Sequence, residues 1–317
     1  MIDGFFCCAE FIHCPQACRF MRCRAKELII NSRHQITATR IMIMRDQLQL
    51  QINNASESMN SGFSDYYQNM VDYFHQNPDK NLSYSAFSSR TNRASKALTS
   101  EQEAIFYIVA YGWQHHQSMQ HLLSETLDFT SNAQEKIRVV DYGCGQGVAT
   151  LAFMDHLAKK GVAQQSSLEI HLIEPSKVSL DIAKLLIERL AKVYGIQVSI
   201  HCQQRTLDNA LIPLNSECVE TFHLLSNVID IETVQDTLPN LAKQMKSCTG
   251  KNFLLATCPK YANAQTGFRI LRQEIDFADN FYDECWDMTY QMYRVIQATW
   301  NQHTSTQRMA VMSWVSS

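Results

Sequence analysis

The sequence has no large excess of charge of either sign: 28 Lys and Arg stand against 31 Asp and Glu, a formal net charge of −3. A near-neutral, slightly acidic chain gives no sign of a DNA-binding or membrane surface. A local basic patch inside such a balanced total still leaves an RNA contact open. No run of about 18 apolar residues occurs, so a membrane-spanning helix is not expected. A secretory leader is not expected either, because His13, Pro15 and Arg19 interrupt any apolar stretch near the start. Zinc-type cysteine pairing is also missing. Cys7, Cys8, Cys14, Cys18 and Cys23 crowd the beginning, but the spacing Cys14-x3-Cys18-x4-Cys23 matches no metal site, and no metal is expected. The six scattered cysteines suit reduced thiols in the core and loops of a cytoplasmic protein.

What is present suffices for a sizeable core, since 45% of residues are hydrophobic. Residues 1–58 are basic, Cys-rich and without clean periodicity. They are expected to be a poorly structured arm outside the working fold, an upstream extension from a misplaced start codon with Met42, Met44 or Met59 as the real start; a disordered or loosely helical arm of the native protein is the alternative. Residues 59–130 are expected to be a helical cap and substrate segment. Asp65 to His75 places Tyr66, Tyr67, Met70, Tyr73 and Phe74 at helical spacing, and Asn77-Pro78-Asp79 ends that helix. Asn81 to Ala97 reads as an ordered loop or short helices, with a small basic cluster at Arg90, Arg93 and Lys96. Ser100-Glu101-Gln102-Glu103 is a capping box that starts a helix running to about Leu127. His115, His116 and His121 lie on it without the i, i+4 or i, i+3 spacing of metal ligands, and are expected on its polar surface.

Residues 131–317 hold the most informative stretch, Arg138-Val139-Val140-Asp141-Tyr142-Gly143-Cys144-Gly145-Gln146-Gly147-Val148. An apolar run ends in an acid, three alternating glycines follow, and a helical segment begins at Val148. Strand, glycine turn and helix open an α/β sheet of the kind that binds nucleotide-like ligands at the carboxyl ends of its strands. The glycines permit turn dihedrals closed to other residues and let backbone approach a ligand. The dinucleotide fingerprint G-x-G-x-x-G/A fails here, because its third small position is Val148.

Asp-x-Gly-x-Gly-x-Gly instead resembles the first motif of the class I S-adenosylmethionine-dependent methyltransferases. The resemblance implies an α/β fold: a seven-stranded Rossmann-like sheet with helices on both faces, here preceded by the N-terminal helical segment. It implies S-adenosyl-L-methionine as cofactor, held by the loop residues Asp141, Tyr142, Gly143, Cys144, Gly145 and Gly147. The second strand, Leu168 to Glu174, ends in an acid followed by Pro175. A carboxylate there can accept both ribose hydroxyls, and the resemblance gives Glu174 that role, with Pro175 beside it. A helix cap is the plainer alternative. Strand 3 is expected at Gln197–Cys202, with Leu207 and Asp208 after it at the adenine position. Strand 4 is expected at Glu220–Leu225, and Ser226 and Asn227 after it near the methionine part and the methyl group. Strand 5 is expected at Lys251–Thr257. Tyr290–Trp300 and Arg308–Val315 are expected as a closing antiparallel pair joined by a polar loop.

The cofactor carries the activated methyl, so the chain must supply proximity, alignment and a dry pocket, and a base only where the nucleophile arrives protonated. Asn227 and Asp230 are the weak catalytic candidates; helix capping competes for Asp230. Tyr66, Tyr67, Tyr84 and Arg90 are candidates for the substrate pocket. The sequence after strand 4 lacks the Asn/Asp-Pro-Pro-aromatic run of base amine methylation, and Thr257-Cys258 lacks the Pro-Cys partner of RNA cytosine methylation. His223 is expected as a core-edge residue. Phe268, Phe277, Phe281, Tyr282 and Trp286 suit core packing or an apolar small-molecule pocket. The leading expectation is methyl transfer to a small molecule; an RNA or protein acceptor, or a cofactor-binding module without catalysis, are the alternatives.

Overall fold

The computed structural model describes residues 42, 45–92, 94–126, 136–212, 218, 220–275 and 280–316, without the side chains of Lys80, Asn280 and Phe281. The Cys-rich stretch, Arg93, Leu127 and Phe277 lie outside the described residues, as does the Phe281 side chain. The chain divides into two units, residues 1–50 and 51–317. Of the first, residues 42 and 45–50 are described and are helical. Everything below concerns the second unit, which begins with helix α1 (residues 51–57).

Its centre is a seven-stranded sheet in the order β3-β2-β1-β4-β5-β7-β6. Strands β1 (Lys136–Tyr142), β2 (Ser167–Ile173), β3 (Gln197–Gln203), β4 (Glu220–Ser226) and β5 (Gly250–Pro259) are parallel. Strand β7 (Thr299–Ser316) runs antiparallel between β5 and β6 (Asn280–Arg294). The chain steps outward from β1 to β3 and then returns to place β4 on the other side of β1. That reversal opens a crevice at the carboxyl ends of β1 and β4, the position where open α/β sheets bind ligands. This is the Rossmann-like α/β fold expected from the sequence, with helices on both faces.

The crossover helices follow from local sequence. Helix α6 (Val148–Lys159) is buried from Val148 through Leu157, because it lies against the sheet and beneath the N-terminal helices. Helix α7 (Lys177–Tyr194) is capped by Ser176, whose Oγ accepts from Ser179 N at 3.1 Å, and stops at Gly195 in the left-handed region. Helices α8 (Glu232–Gln235) and α9 (Leu238–Lys246) connect β4 to β5, and helix α10 (Ala262–Glu274) follows β5. The helical stretch between β4 and β5 is broken just ahead of Pro239, which sits in the first turn of α9, where its missing N–H costs nothing.

Two sequence expectations are displaced. The closing strands are longer than expected, and the connection between them is the turn at residues 295–298, not the polar stretch 301–307, which is strand. The turn Val295-Ile296-Gln297-Ala298 carries no Gly, Asn or Pro, and puts Ala298 at φ 49°, so its sequence conceals it. The Thr and Ser of 301–307 suit an extended chain.

Helices α2 (Phe63–Gln76), α3 (Tyr84–Thr91), α4 (Glu101–Tyr107) and α5 (Trp113–Thr126) precede the sheet. Ser100 Oγ accepts from Glu103 N at 3.3 Å as expected, while the Glu103 carboxylate takes Thr99 N at 2.7 Å. Between α4 and α5, residues Ile108–Gly112 form a π-helical turn. His116 is not on a polar surface: it is 4% exposed, and its Nε2 meets Asp155 Oδ2 at 2.7 Å. Asp155 also receives the Tyr194 hydroxyl at 2.7 Å and Phe63 N at 3.3 Å, pinning α2 and α5 to α6 and α7. No helix among the described residues is long and apolar enough to cross a membrane.

Candidate active site

A cavity of about 470 Å³ lies at the carboxyl ends of β1, β2 and β4, within the size range of sites that enclose one small-molecule ligand. Asp141 comes from β1, Gly143, Cys144 and Gly145 from the loop, and Glu174 and Pro175 from the end of β2. Leu207 and Asp208 follow β3, and Ser226 and Asn227 end β4. These sequence candidates are brought together on one wall.

The loop is held from both sides. Cys144 N donates to Ile173 O at 3.1 Å, and Gly147 N to Cys144 O at 2.7 Å. Gln146 Nε2 donates to Ala104 O at 2.8 Å, tying the loop to α4. Gly143 has φ +63°, and a Cβ there would meet Val228 Cγ1 at 2.8 Å, so glycine is required on two counts. At Gly145, φ +51°, an added Cβ would find nothing within 4 Å, because this face of the loop fronts the cavity.

Glu174 is 8% exposed. Its Oε2 accepts from Gly145 N at 3.0 Å and its Oε1 from Ser176 N at 2.9 Å. A carboxylate has about four lone-pair sites, so roughly two remain for a ligand. Burial raises its pKa above the usual range despite the two amide bonds. Asp141 is 1% exposed, and its Oδ2 accepts from Thr150 N at 3.2 Å and Thr150 Oγ1 at 2.7 Å.

 

Burial pushes the Asp141 carboxyl up to about 7, with the Thr150 bonds acting in the opposite direction.

Asn227 occupies the left-handed region at φ 58°, which asparagine tolerates. Its N donates to Thr257 O at 2.8 Å and its Nδ2 to Ser226 Oγ at 2.9 Å, while its buried Oδ1 has no hydrogen-bond partner.

Other sequence candidates lie elsewhere. Tyr142 alternates to the other face of β1, where its hydroxyl meets His223 Nδ1 at 2.9 Å in the core. His223 is therefore fully buried and not at the core edge; its Nε2 faces Asn252 Oδ1 at 3.2 Å. Gly147 packs α6 on α7, with a hypothetical Cβ 3.1 Å from Ala183 Cβ. Asp230 bonds the Cys258 thiol and does not cap α8, whose first residue follows Ile231. Tyr66 and Tyr67 are core residues, 1% and 2% exposed, because the apolar face of α2 turns inward. Tyr84 packs near Phe106 and Arg90 is exposed; neither lines the cavity.

The cavity also recruits residues that were not among the sequence's site candidates. Ala94 to Leu98 cover one side, with Ser176 Oγ donating to Leu98 O at 2.6 Å. Tyr107 and His115 form another wall, and Val228, Ile231 and Val234 an apolar one.

No protein-family model matches the sequence, and no curated protein matches it. Solved class I methyltransferases are among its structural neighbours. A precorrin-6y C5,15-methyltransferase from Geobacter metallireducens is 10% identical, with 70% of this chain and 91% of that chain covered and a TM-score of 0.37. An S-adenosylmethionine-dependent O-methyltransferase from Thermotoga maritima is 12% identical, over 71% and 70% of the two chains, at 0.35. A Listeria monocytogenes protein described as a candidate class I methyltransferase is 10% identical, over 86% and 88%, at 0.38.

Proposed function

We propose that the protein is an S-adenosylmethionine-dependent methyltransferase acting on a small molecule. The observation that carries this reading is Glu174. It closes the glycine loop through Gly145 N and keeps acceptor capacity toward the cavity, as a ribose diol requires. The other residues fit the same ligand. Asp141, which a cation draws into its ionised form, offers negative charge, and the unpartnered Asn227 Oδ1 offers an acceptor, both suited to an ammonium group. Leu207 and Asp208 offer an apolar surface and a polar edge for a purine. When bound, the cofactor supplies an activated methyl on a sulfonium. The chain's part is to align the two reactants and exclude water, which a cavity roofed by 94–98 favours.

Calorimetric titration with S-adenosylmethionine and S-adenosylhomocysteine tests the reading. Micromolar binding that weakens at least 10-fold in Asp141→Ala and Glu174→Ala is expected. Absence of binding by the intact protein overturns it. Binding without transfer to any small molecule would favour a cofactor-binding module.

A further inference from the structure

Tyr107 and His115 are eight residues apart. On a continuous α-helix, eight steps of about 100° leave two residues about 80° apart around the axis. The π-turn at Ile108–Gly112 takes up one extra residue, so the pair is separated by about seven effective steps, roughly 20° from alignment. Tyr107 and His115 consequently share one face, with the Tyr107 hydroxyl 3.3 Å from His115 Nδ1 and ring centroids 5.7 Å apart. Both line the cavity. Among the described residues, His115 Nε2 has no hydrogen-bond partner. Removal from water lowers the imidazole to about 4, so it is neutral near pH 7 and one ring nitrogen keeps an open lone pair. Glu174 and Asp230 lie close enough to raise the Tyr107 pKa further after burial has raised it. Asp141, Glu174 and Asp208 line the cavity against Lys96, a balance of charge that disfavours an anionic acceptor.

Resting on the methyltransferase reading, we propose that His115, positioned by Tyr107, takes the proton from the acceptor, and that the acceptor is a small uncharged molecule with a hydroxyl on an apolar body. The apolar side of that body meets Val228, Ile231 and Val234. In the transfer, the carbon–sulfur bond breaks with its electron pair left on sulfur. The acceptor oxygen forms the new bond to carbon with a lone pair, and its proton passes to His115 Nε2 and then to water.

The test uses the full chain and 4-nitrophenol on the acid side of the phenol's own pKa, where it is un-ionised and its absorbance reports hydrogen bonding of its hydroxyl. With S-adenosylhomocysteine saturating, 4-nitrophenol is expected to bind with a red shift. His115→Ala and His115→Gln are expected to lose the shift and weaken binding at least 10-fold. With radiolabelled cofactor, His115→Ala should lower kcat for 4-nitrophenol about 100-fold or more, leaving the cofactor Kd within about 3-fold. Tyr107→Phe should lower kcat with KM little changed. Unaltered 4-nitrophenol binding in both His115 variants, or no 4-nitrophenol binding while S-adenosylhomocysteine binds, overturns this proposal alone. Failure of S-adenosylhomocysteine to bind overturns the methyltransferase reading instead.

Discussion

Two buried carboxylates serve opposite ends. Asp155 gives its acceptor capacity to the protein itself: His116, the Tyr194 hydroxyl and Phe63 N converge on it. Glu174 takes only two backbone amides and faces a cavity with the remainder. Equal burial therefore does not imply equal purpose. A carboxylate saturated by side chains from several helices is a fastener, and one held by backbone with lone pairs left over is poised for a ligand.

The sharpest way to break this contrast is Asp155→Ala. It strands buried His116 and is expected to cost about 3–5 kcal/mol of stability, with cofactor affinity of the folded protein within about 3-fold; denaturant titration and calorimetry check both. Glu174→Gln should do the reverse. It places an amide where two N–H groups converge, and affinity should fall about 10–100-fold with a smaller loss of stability. Equal stability losses in the two variants would erase the distinction. Gly143→Ala is expected to cost about 1–3 kcal/mol through its positive φ and the Val228 contact, seen as a lowered denaturation midpoint. The two carboxylates of the site itself also differ in pH dependence. The folded Asp141 carboxyl titrates at about 7, above its unfolded value of 3.8. The native state therefore binds the extra proton between these values, and stability falls as pH rises through that window. A cationic ligand favours the ionised form, so its affinity rises over the same range. Asp141→Asn should flatten both slopes in thermal melts with and without cofactor.

The glycine-loop wall of the cavity was legible because its constraints are local. Asp141, the glycines and Glu174 sit at strand ends, where residue type and spacing follow from backbone geometry. The sheet was legible for the same reason, through β1, β2 and their crossover helices. The opposite wall was not. Tyr107 and His115 align only through a π-turn, which periodicity at 3.6 residues cannot register. Tyr66 and Tyr67 have polar hydroxyls that suggested a pocket, yet their helix turns that face into the core. His116 needed Asp155, 39 residues away, to make its burial intelligible.

Strand β7 lies between β5 and β6, although β6 is synthesised first. Until β7 exists, β6 has no neighbour in the sheet, and its ladder groups stay open to any passing strand. The pair is joined by a four-residue turn, so a hairpin can close locally before it meets β5. Assembly of this edge is thus a docking of a preformed ribbon, and slow closure of the turn at Ala298 would lengthen the interval in which nascent chains can mispair.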